Sequence, residues 1–225
     1  MDLYDVMRTT FSARQFTDDP IPDEVLYRIL DNARFASSGA NNQGWRVIIV
    51  RDAEKRQALG DLCKPAFSYY RAQLKAGEVP FNTVTPTQVD RAEGELEPHG
   101  YPLLDNFHDP KKLPVLLVVA LDLSLVTAFD AHLPRIGVIS GASIYPFVWN
   151  ILLSARNEGF GGVLTTFLSD KEVEAQRLLG IPKHFAVAAM LPIGKPVKQL
   201  TKLSRRSVES FATIDSFNGE VFAPK

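Results

Sequence analysis

Four short segments carry hydroxyl, amide and guanidinium side chains that no evident structural role requires. The most polar is SSGANNQGW, Ser37–Trp45, with two hydroxyls, three carboxamides and two glycines. Such a loop can hold a polar, planar ligand through neutral hydrogen bonds. The other segments are TTFSARQF, with Ser12 and Arg14; GGVLTTF, with Thr165 and Thr166; and KLSRRSVESF, with Arg205 and Arg206.

Familiar catalytic motifs are absent from the sequence. It contains neither a G-x-S-x-G nor a Walker A motif. The GFGG stretch, residues 159–162, follows a predicted helix instead of a strand, so it does not fit a dinucleotide-binding fingerprint. The four histidines are dispersed, and we predict no metal site. This combination favours an enzyme whose chemistry is supplied by a bound cofactor.

The composition is that of a globular chain. Its 225 residues, 45% hydrophobic and 23% charged, allow one large domain or two small ones. A net charge of −1 gives no basic excess for nucleic acid, and no segment suits a membrane span of about 20 apolar residues. The charged N-terminal segment argues against a signal peptide, and the lone Cys63 favours a reducing compartment. We therefore expect a cytoplasmic protein without nucleic-acid or membrane partners.

Strands and helices must position the four segments. Short β-branched or apolar runs predict strands at WRVIIVRD, PVLLVVALD and FAVAAMLPIG, and a strand or extended turn at GGVLTTF. Helical periodicity predicts helices at residues 2–10, IPDEVLYRILDNARF, AEKRQALGDLC, AFSYYRAQL and SDKEVEAQRLLG. In the last of these, Ser169 and Glu172 have the spacing of a capping box, and Gly180 marks the end. Strands separated by helices predict an α/β or α+β domain built on one sheet.

Three longer segments are also informative. Residues 75–112 are polar and punctuated by Pro and Gly, so they form either a lid or a solvated surface loop. Residues 137–155 carry no charge, which predicts a central helix covered on all sides and kinked at Pro146. Residues 196–225 have weak periodicity and are predicted to form an extended arm. The apolar helix and the arm suggest burial against a second copy of the chain.

Taken in order, the motifs resemble those of the FMN-dependent nitroreductase family. That family usually opens with two basic residues, Ser, a small aliphatic residue, Arg, any residue and Phe; this chain has TFSARQF. The chain then matches five further family patterns in order. DDPIPDEVL matches D-x-P-I-P-x-E-x-L, and ASSGANNQGW matches A-P-S-x-x-N-x-Q-P-W. GFGGVLTT matches G-x-G-x-x-x-T-T, LGIP matches L-G-I-P, and RRSVES matches R-[KR]-P-L-E-E. The resemblance covers essentially the whole chain and is specific through its order and spacing.

The resemblance implies one nitroreductase-like domain over residues 1–225, with a three-layer α/β/α, α+β fold. A mixed central sheet would be flanked by helices, and the C-terminal arm would be exchanged in a homodimer. Two FMN sites would lie at the subunit interface. NAD(P)H and then a nitroaromatic, quinone or similar electron-poor acceptor would react at one flavin face, in a ping-pong mechanism.

The resemblance also implies roles for individual residues. Ser12, Arg205 and Arg206 would bind the FMN phosphate, and Arg14 would face the flavin N1/C2 carbonyl, where negative charge develops on reduction. The Thr166 backbone N–H would contact N5 and is the expected catalytic group. The remaining implied contacts are Ser38, Gly39 and Asn41 from the other subunit, and Leu164 and Thr165 beside Thr166.

The sequence departs from the family pattern in two places. Thr10 and Phe11 stand where basic residues are usual, so either Arg8 or Arg206 compensates or FMN binds more weakly, and Gly44 replaces the usual Pro before Trp45. Three alternatives stay open: a reductive dehalogenase of halogenated phenols, a flavin-fragmenting enzyme and a non-catalytic flavin-storage protein. The physiological acceptor and the choice between NADH and NADPH are also open.

Overall fold

The structure is a computed structural model that describes residues 1–224. Short 3₁₀ turns at Gly39–Asn41, Leu123–Leu125, Ile139–Ser143, Phe167–Lys171 and Val208–Ser210 supplement the regular elements. In chain order those elements are α1 (Leu3–Thr9), α2 (Asp23–Ala33), β1 (Trp45–Ile49), α3 (Ala53–Lys75), α4 (Arg91–Glu95), α5 (Pro102–Asp105), β2 (Val115–Asp122), α6 (Tyr145–Asn157), β3 (Gly161–Gly162), α7 (Glu172–Leu179) and β4 (Phe185–Gly194).

The four strands form one sheet in the order β1-β2-β4-β3, and each neighbouring pair is antiparallel. The expected mixed character is confined to an isolated parallel bridge between Ser12 and Gly162, at the β3 edge. The sheet therefore has two different edges. The loop Ser37–Gly44 leads into the β1 edge, whereas the segment that contains Ser12 is bound at the β3 edge.

Helices cover both faces of the sheet and produce the three predicted layers. Side chains alternate along β2, so that Leu116 and Val118 enter one core with α3, α5 and α7. Leu117 and Val119 enter a second core with α2 and α6. Because both faces are covered, β2 is apolar along nearly its whole length, and this run predicted the strand correctly.

Several sequence-based predictions were wrong in detail. The two helices predicted over residues 53–74 are one helix, α3. It continues through Pro65 because buried residues before and after the proline pack against the core. Pro146 lies in the first turn of α6, where its missing N–H breaks no helical hydrogen bond, so it begins the helix and does not kink it. Within a single chain α6 leaves Tyr145 and Trp149 exposed, so its predicted covering on all sides would need a second copy.

The region after β3 also differs from its prediction. Only Gly161 and Gly162 of GGVLTTF form a strand. The predicted capping box is not formed: the Ser169 hydroxyl donates to the Thr166 carbonyl, and Glu172 accepts from the backbone of Val187. Gly180 ends α7 in the left-handed conformation with φ +68°, as predicted.

The segment after β4 runs back along the first motif before it leaves the domain. An antiparallel bridge joins Phe16 to Pro196, and the Gln199 side chain donates to the carbonyl of Thr9 over 3.0 Å. Residues 201–224 then make mainly local turns and leave large apolar side chains such as Phe217 exposed to solvent.

Candidate functional site

The TFSARQF segment is attached to the sheet at the β3 edge. Ser12 bridges Gly162, and the Ala13 N–H donates to the Gly162 carbonyl over 3.0 Å. A Cβ on Gly162 would lie 2.6 Å from the Pro192 carbonyl oxygen, so only glycine allows this close approach. Ala13 is buried, whereas Ser12 and Arg14 on either side of it are exposed, and the Arg14 guanidinium donates to the Ser12 carbonyl.

Thr165 and Thr166 follow β3 by a few residues and lie at the same edge of the sheet. The backbone of Thr165 exchanges two hydrogen bonds with Met190 of β4, with N–O distances of 3.0 and 2.8 Å. Its hydroxyl is buried and has no hydrogen-bond partner within residues 1–224. Thr166 is exposed, and its N–H donates no hydrogen bond in the described part of the chain. This edge therefore offers one hydroxyl and one amide donor to a ligand.

A cavity of about 450 Å³ opens beside Thr166. Its walls come from α3, from the 75–112 segment and from the turn after β3. The lining residues are Ala66, Tyr70, Pro80, Phe81, Thr166, Phe167, Ser169 and Asp170.

A second cleft, of about 390 Å³, contains Arg14 and the side chain of Lys198. Neither cation has a carboxylate within ion-pair distance in residues 1–224. Tyr101 lies in the same cleft; burial raises the pKa of its phenol, and the neighbouring Arg14 charge opposes part of that rise. The Phe67 ring packs against a lining residue of each space, with ring centroids 4.6 Å from Tyr101 and 4.9 Å from Phe167.

The loop Ser37–Gly44 lies at the other edge of the sheet. The Gly39 N–H donates to the Ser143 hydroxyl over 3.1 Å, and the Gln43 N–H donates to the Ser38 hydroxyl over 3.0 Å. Ala40 and Asn41 adopt left-handed backbone angles, with φ of +51° and +56°. A left-handed alanine costs about 1–2 kcal/mol, so surrounding contacts must hold the loop in this shape. Asn41 remains exposed at its tip.

The sequence model of the nitroreductase family matches residues 7–195. The chain belongs to the nitroreductase family.

Relatives and solved structures agree with this assignment. The chain is 28% identical over 190 residues to the NADH dehydrogenase of Thermus thermophilus, covering 84% of this chain and 83% of the relative. It is 25% identical over 206 residues to the iodotyrosine deiodinase of Thermotoga neapolitana, covering 92% and 95%. A crystal structure of an oxidised iodotyrosine deiodinase bound to FMN and 3-iodo-L-tyrosine has the same fold, with a TM-score of 0.67 at 23% identity, covering 96% of this chain and 100% of that one.

Within this nitroreductase chain the predicted site residues do not all come together. Ser12, Arg14, Thr165 and Thr166 gather at the β3 edge, whereas Ser38, Gly39 and Asn41 lie at the β1 edge. Leu164 packs into the core shared with α2 and α6. Arg205 and Arg206 are exposed on the arm and make no hydrogen bond to Ser12 or Arg14 in residues 1–224.

The departures from the nitroreductase motif at Thr10 and Phe11 are explained by packing. Thr10 is buried and its hydroxyl donates to the Val6 carbonyl, while Phe11 packs against the core. Neither can bind a phosphate. Lys198 was not predicted as a candidate site residue. It comes close to Arg14 because the segment that begins at residue 195 runs antiparallel to the TFSARQF motif, and local sequence patterns do not reveal this pairing.

Trp45 stacks on Phe147 with ring centroids 4.6 Å apart and anchors the loop to the core.

Residues 1–224 contain neither a metal-ligand cluster nor a membrane-spanning helix. No group of three or more His, Cys, Asp or Glu side chains is arranged to hold a metal ion. No helix in that range is both long and apolar enough to cross a membrane.

Proposed function

We propose that the chain is an FMN-dependent oxidoreductase that takes electrons from NAD(P)H and passes them to nitroaromatic, quinone or similar electron-poor acceptors in a ping-pong sequence. The observation that carries the proposal is the pair of donors at Thr165 and Thr166 that are unsatisfied within residues 1–224, beside an aromatic cavity and a cleft with two cations that lack a carboxylate partner in that range. The relatives' names support the same chemistry, since they include an NADH dehydrogenase and a neighbour bound to FMN.

The residues present fit an FMN. A buried hydroxyl without a partner costs about 1–3 kcal/mol, and a ligand acceptor placed against Thr165 would remove that cost. Arg14, Lys198 and Ser12 supply positive charge and a hydroxyl for phosphate or for the flavin pyrimidine edge.

When bound, FMN supplies two-electron transfer between NAD(P)H and acceptor. The chain's own contributions are positional and electrostatic. We assign the free Thr166 N–H to hydrogen bonding at flavin N5, and Arg14 to the N1/C2 carbonyl, where its positive charge stabilises the negative charge that develops. The aromatic walls of the Thr166 cavity exclude water from the reacting face.

A complete site requires two chains in this proposal. The loop Ser37–Gly44 lies at the opposite sheet edge from Thr166, so Ser38, Gly39 and Asn41 would reach the flavin from a second copy. The exposed Tyr145 and Trp149 of α6 and the apolar residues of the arm provide surfaces for such a homodimer. We retain residues 1–225 as one domain, 75–112 as a lid and 196–225 as an exchanged arm, with Arg205 and Arg206 near the phosphate.

The absorbance spectrum of the purified protein reconstituted with FMN tests this function. We expect about one flavin per subunit, anaerobic bleaching by NADH or NADPH, and recovery of the spectrum with product formation when a nitroaromatic is added. A protein that cannot bind FMN would contradict the proposal. Bleaching without acceptor turnover would support flavin storage instead.

Reductive dehalogenation is the second candidate, favoured by the 25% identity to an iodotyrosine deiodinase over nearly the full length of both chains. Halide release from a halogenated phenol by the reduced holoprotein, measured with a halide electrode, would support it. Reduction of nitroaromatics without halide release would exclude it.

A further inference from the structure

The cavity beside Thr166 has a wall chemistry that restricts its ligand. Three aromatic side chains, Tyr70, Phe81 and Phe167, surround it together with Pro80 and Ala66. Tyr70 and Phe167 pack edge to face, with ring centroids 5.7 Å apart. Aromatic walls of this kind contact flat rings over a large area.

The only charged side chain that lines this cavity in the described part of the chain is Asp170. Its Oδ2 atom lies 2.7 Å from Nη2 of Arg91, and Lys171 Nζ lies 3.9 Å from the same oxygen. The cavity lining therefore includes a carboxylate that is ion-paired through one of its oxygens.

Arg91 borders the cavity through Asp170 and through Phe81, whose ring centre lies 5.7 Å from the guanidinium carbon. Its Nε atom lies 2.5 Å from Glu95, and its guanidinium stacks 4.5 Å from the centre of the Tyr69 ring. Burial alone would lower the pKa of Arg91, but the hydrogen bonds to Asp170 and Glu95 outweigh it and raise that pKa. Arg91 and Lys171 are thus each within ion-pair distance of a carboxylate, and neither lines the cavity in the described residues.

We propose that this cavity binds the electron acceptor and that Asp170 makes it select flat aromatic acceptors that are neutral or cationic over those that carry a carboxylate. The inference rests on the proposed function. A carboxylate on the acceptor would lose its water beside Asp170 and gain no counter-ion in return. A neutral ring makes the aromatic contacts without that cost.

Three acceptors with the same nitrophenyl ring test the selectivity: 4-nitrobenzyl alcohol, 4-nitrobenzylamine and 4-nitrobenzoate. With the FMN-loaded protein and saturating NAD(P)H, we expect the benzoate-to-alcohol ratio of kcat/KM to be about one third, since Arg91 and Lys171 offset part of the Asp170 charge. Asp170→Asn should raise this ratio toward one. Asp61→Asn is the matched control, because Asp61 is an exposed, lysine-paired carboxylate outside the cavity.

A measurement on the unmodified protein covers the case in which Asp170→Asn does not fold. If charge causes the discrimination, the benzoate-to-alcohol ratio should rise toward one with increasing salt, because ions screen exposed charges. Equal use of all three acceptors, or a ratio that neither salt nor Asp170→Asn changes, would overturn the inference alone. Failure to reduce any acceptor would instead overturn the proposed function, and the inference with it.

Discussion

The two edges of the sheet carry the two groups of predicted site residues, but they differ in how their polar groups are used. At the β1 edge, the loop Ser37–Gly44 satisfies much of its hydrogen bonding internally and through Ser143. At the β3 edge, the Thr165 hydroxyl and Thr166 N–H have no partner within residues 1–224, and Arg14 and Lys198 have no carboxylate there. The β3 edge therefore has donors left for a ligand, while the hydrogen-bonded loop at the β1 edge has a fixed shape that could contact another chain in the proposed dimer.

The glycines at the two edges should respond differently to an added methyl group. In Gly162→Ala, the new Cβ would meet backbone at 2.6 Å, and we expect a loss of about 3 kcal/mol in the free energy of unfolding. In Gly39→Ala, the nearest atoms are side-chain oxygens at 3.4 and 3.5 Å, and the change should stay within about 0.5 kcal/mol. Urea denaturation of the apoprotein measures both. Equal losses would remove the contrast between the edges.

Lys198 tests whether the charge of the β3 edge serves the ligand. Lys198→Gln should weaken FMN binding about tenfold, since a charge-assisted hydrogen bond contributes about 1.5 kcal/mol. Riboflavin, which lacks the phosphate, should bind equally to both proteins if the lysine contacts phosphate. Flavin fluorescence quenching measures the affinities, and the control is Lys183→Gln, because Lys183 is an exposed lysine before the start of β4, whereas Lys198 follows its end. Unchanged FMN affinity would show that Lys198 is only a surface cation.

Removing the buried Thr165 hydroxyl should have smaller effects, which raise the stability of the apoprotein and lower its FMN affinity. Thr165→Val keeps the shape of the side chain and removes the unpaired hydroxyl, so the apoprotein should gain about 1 kcal/mol of stability. FMN affinity should fall several-fold because the proposed hydrogen bond is lost. Thermal unfolding with and without FMN measures both. A variant that binds FMN normally would mean that Thr165 does not contact the flavin.

The sequence predicted the framework well where a local pattern decides the structure. The apolar runs of β2 and β4 and the buried stripe of Leu26, Ile29 and Ala33 on α2 each follow from periodicity within a few residues. The errors at Pro65 and Pro146 arose because a proline can be held inside a helix by packing or can begin one, and local sequence does not separate these cases from a break or a kink.

The candidate site was predictable only where motifs name its residues. Ser12, Arg14, Thr165 and Thr166 stood out by residue type and received roles from the family resemblance, and the structure gathers them at one edge. Three further features of the candidate site were not predicted: Lys198, Phe67 and the Arg91–Asp170 pair. Each depends on segments distant in sequence that only the folded chain brings together.

The central claim, that one flavin site is built from the β3 edge of one chain and the β1 edge of another, is tested most directly by mixed dimers. Arg14→Gln alters only the β3 edge; Asn41→Gly alters only the β1 edge and keeps the left-handed backbone that glycine tolerates. Each variant alone should bind FMN weakly at both sites. Differently tagged variants, refolded together and purified as the heterodimer, should regain one site of wild-type affinity per dimer, because one site then receives both intact edges. A heterodimer that binds FMN only weakly would contradict the account and place the whole site within a single chain.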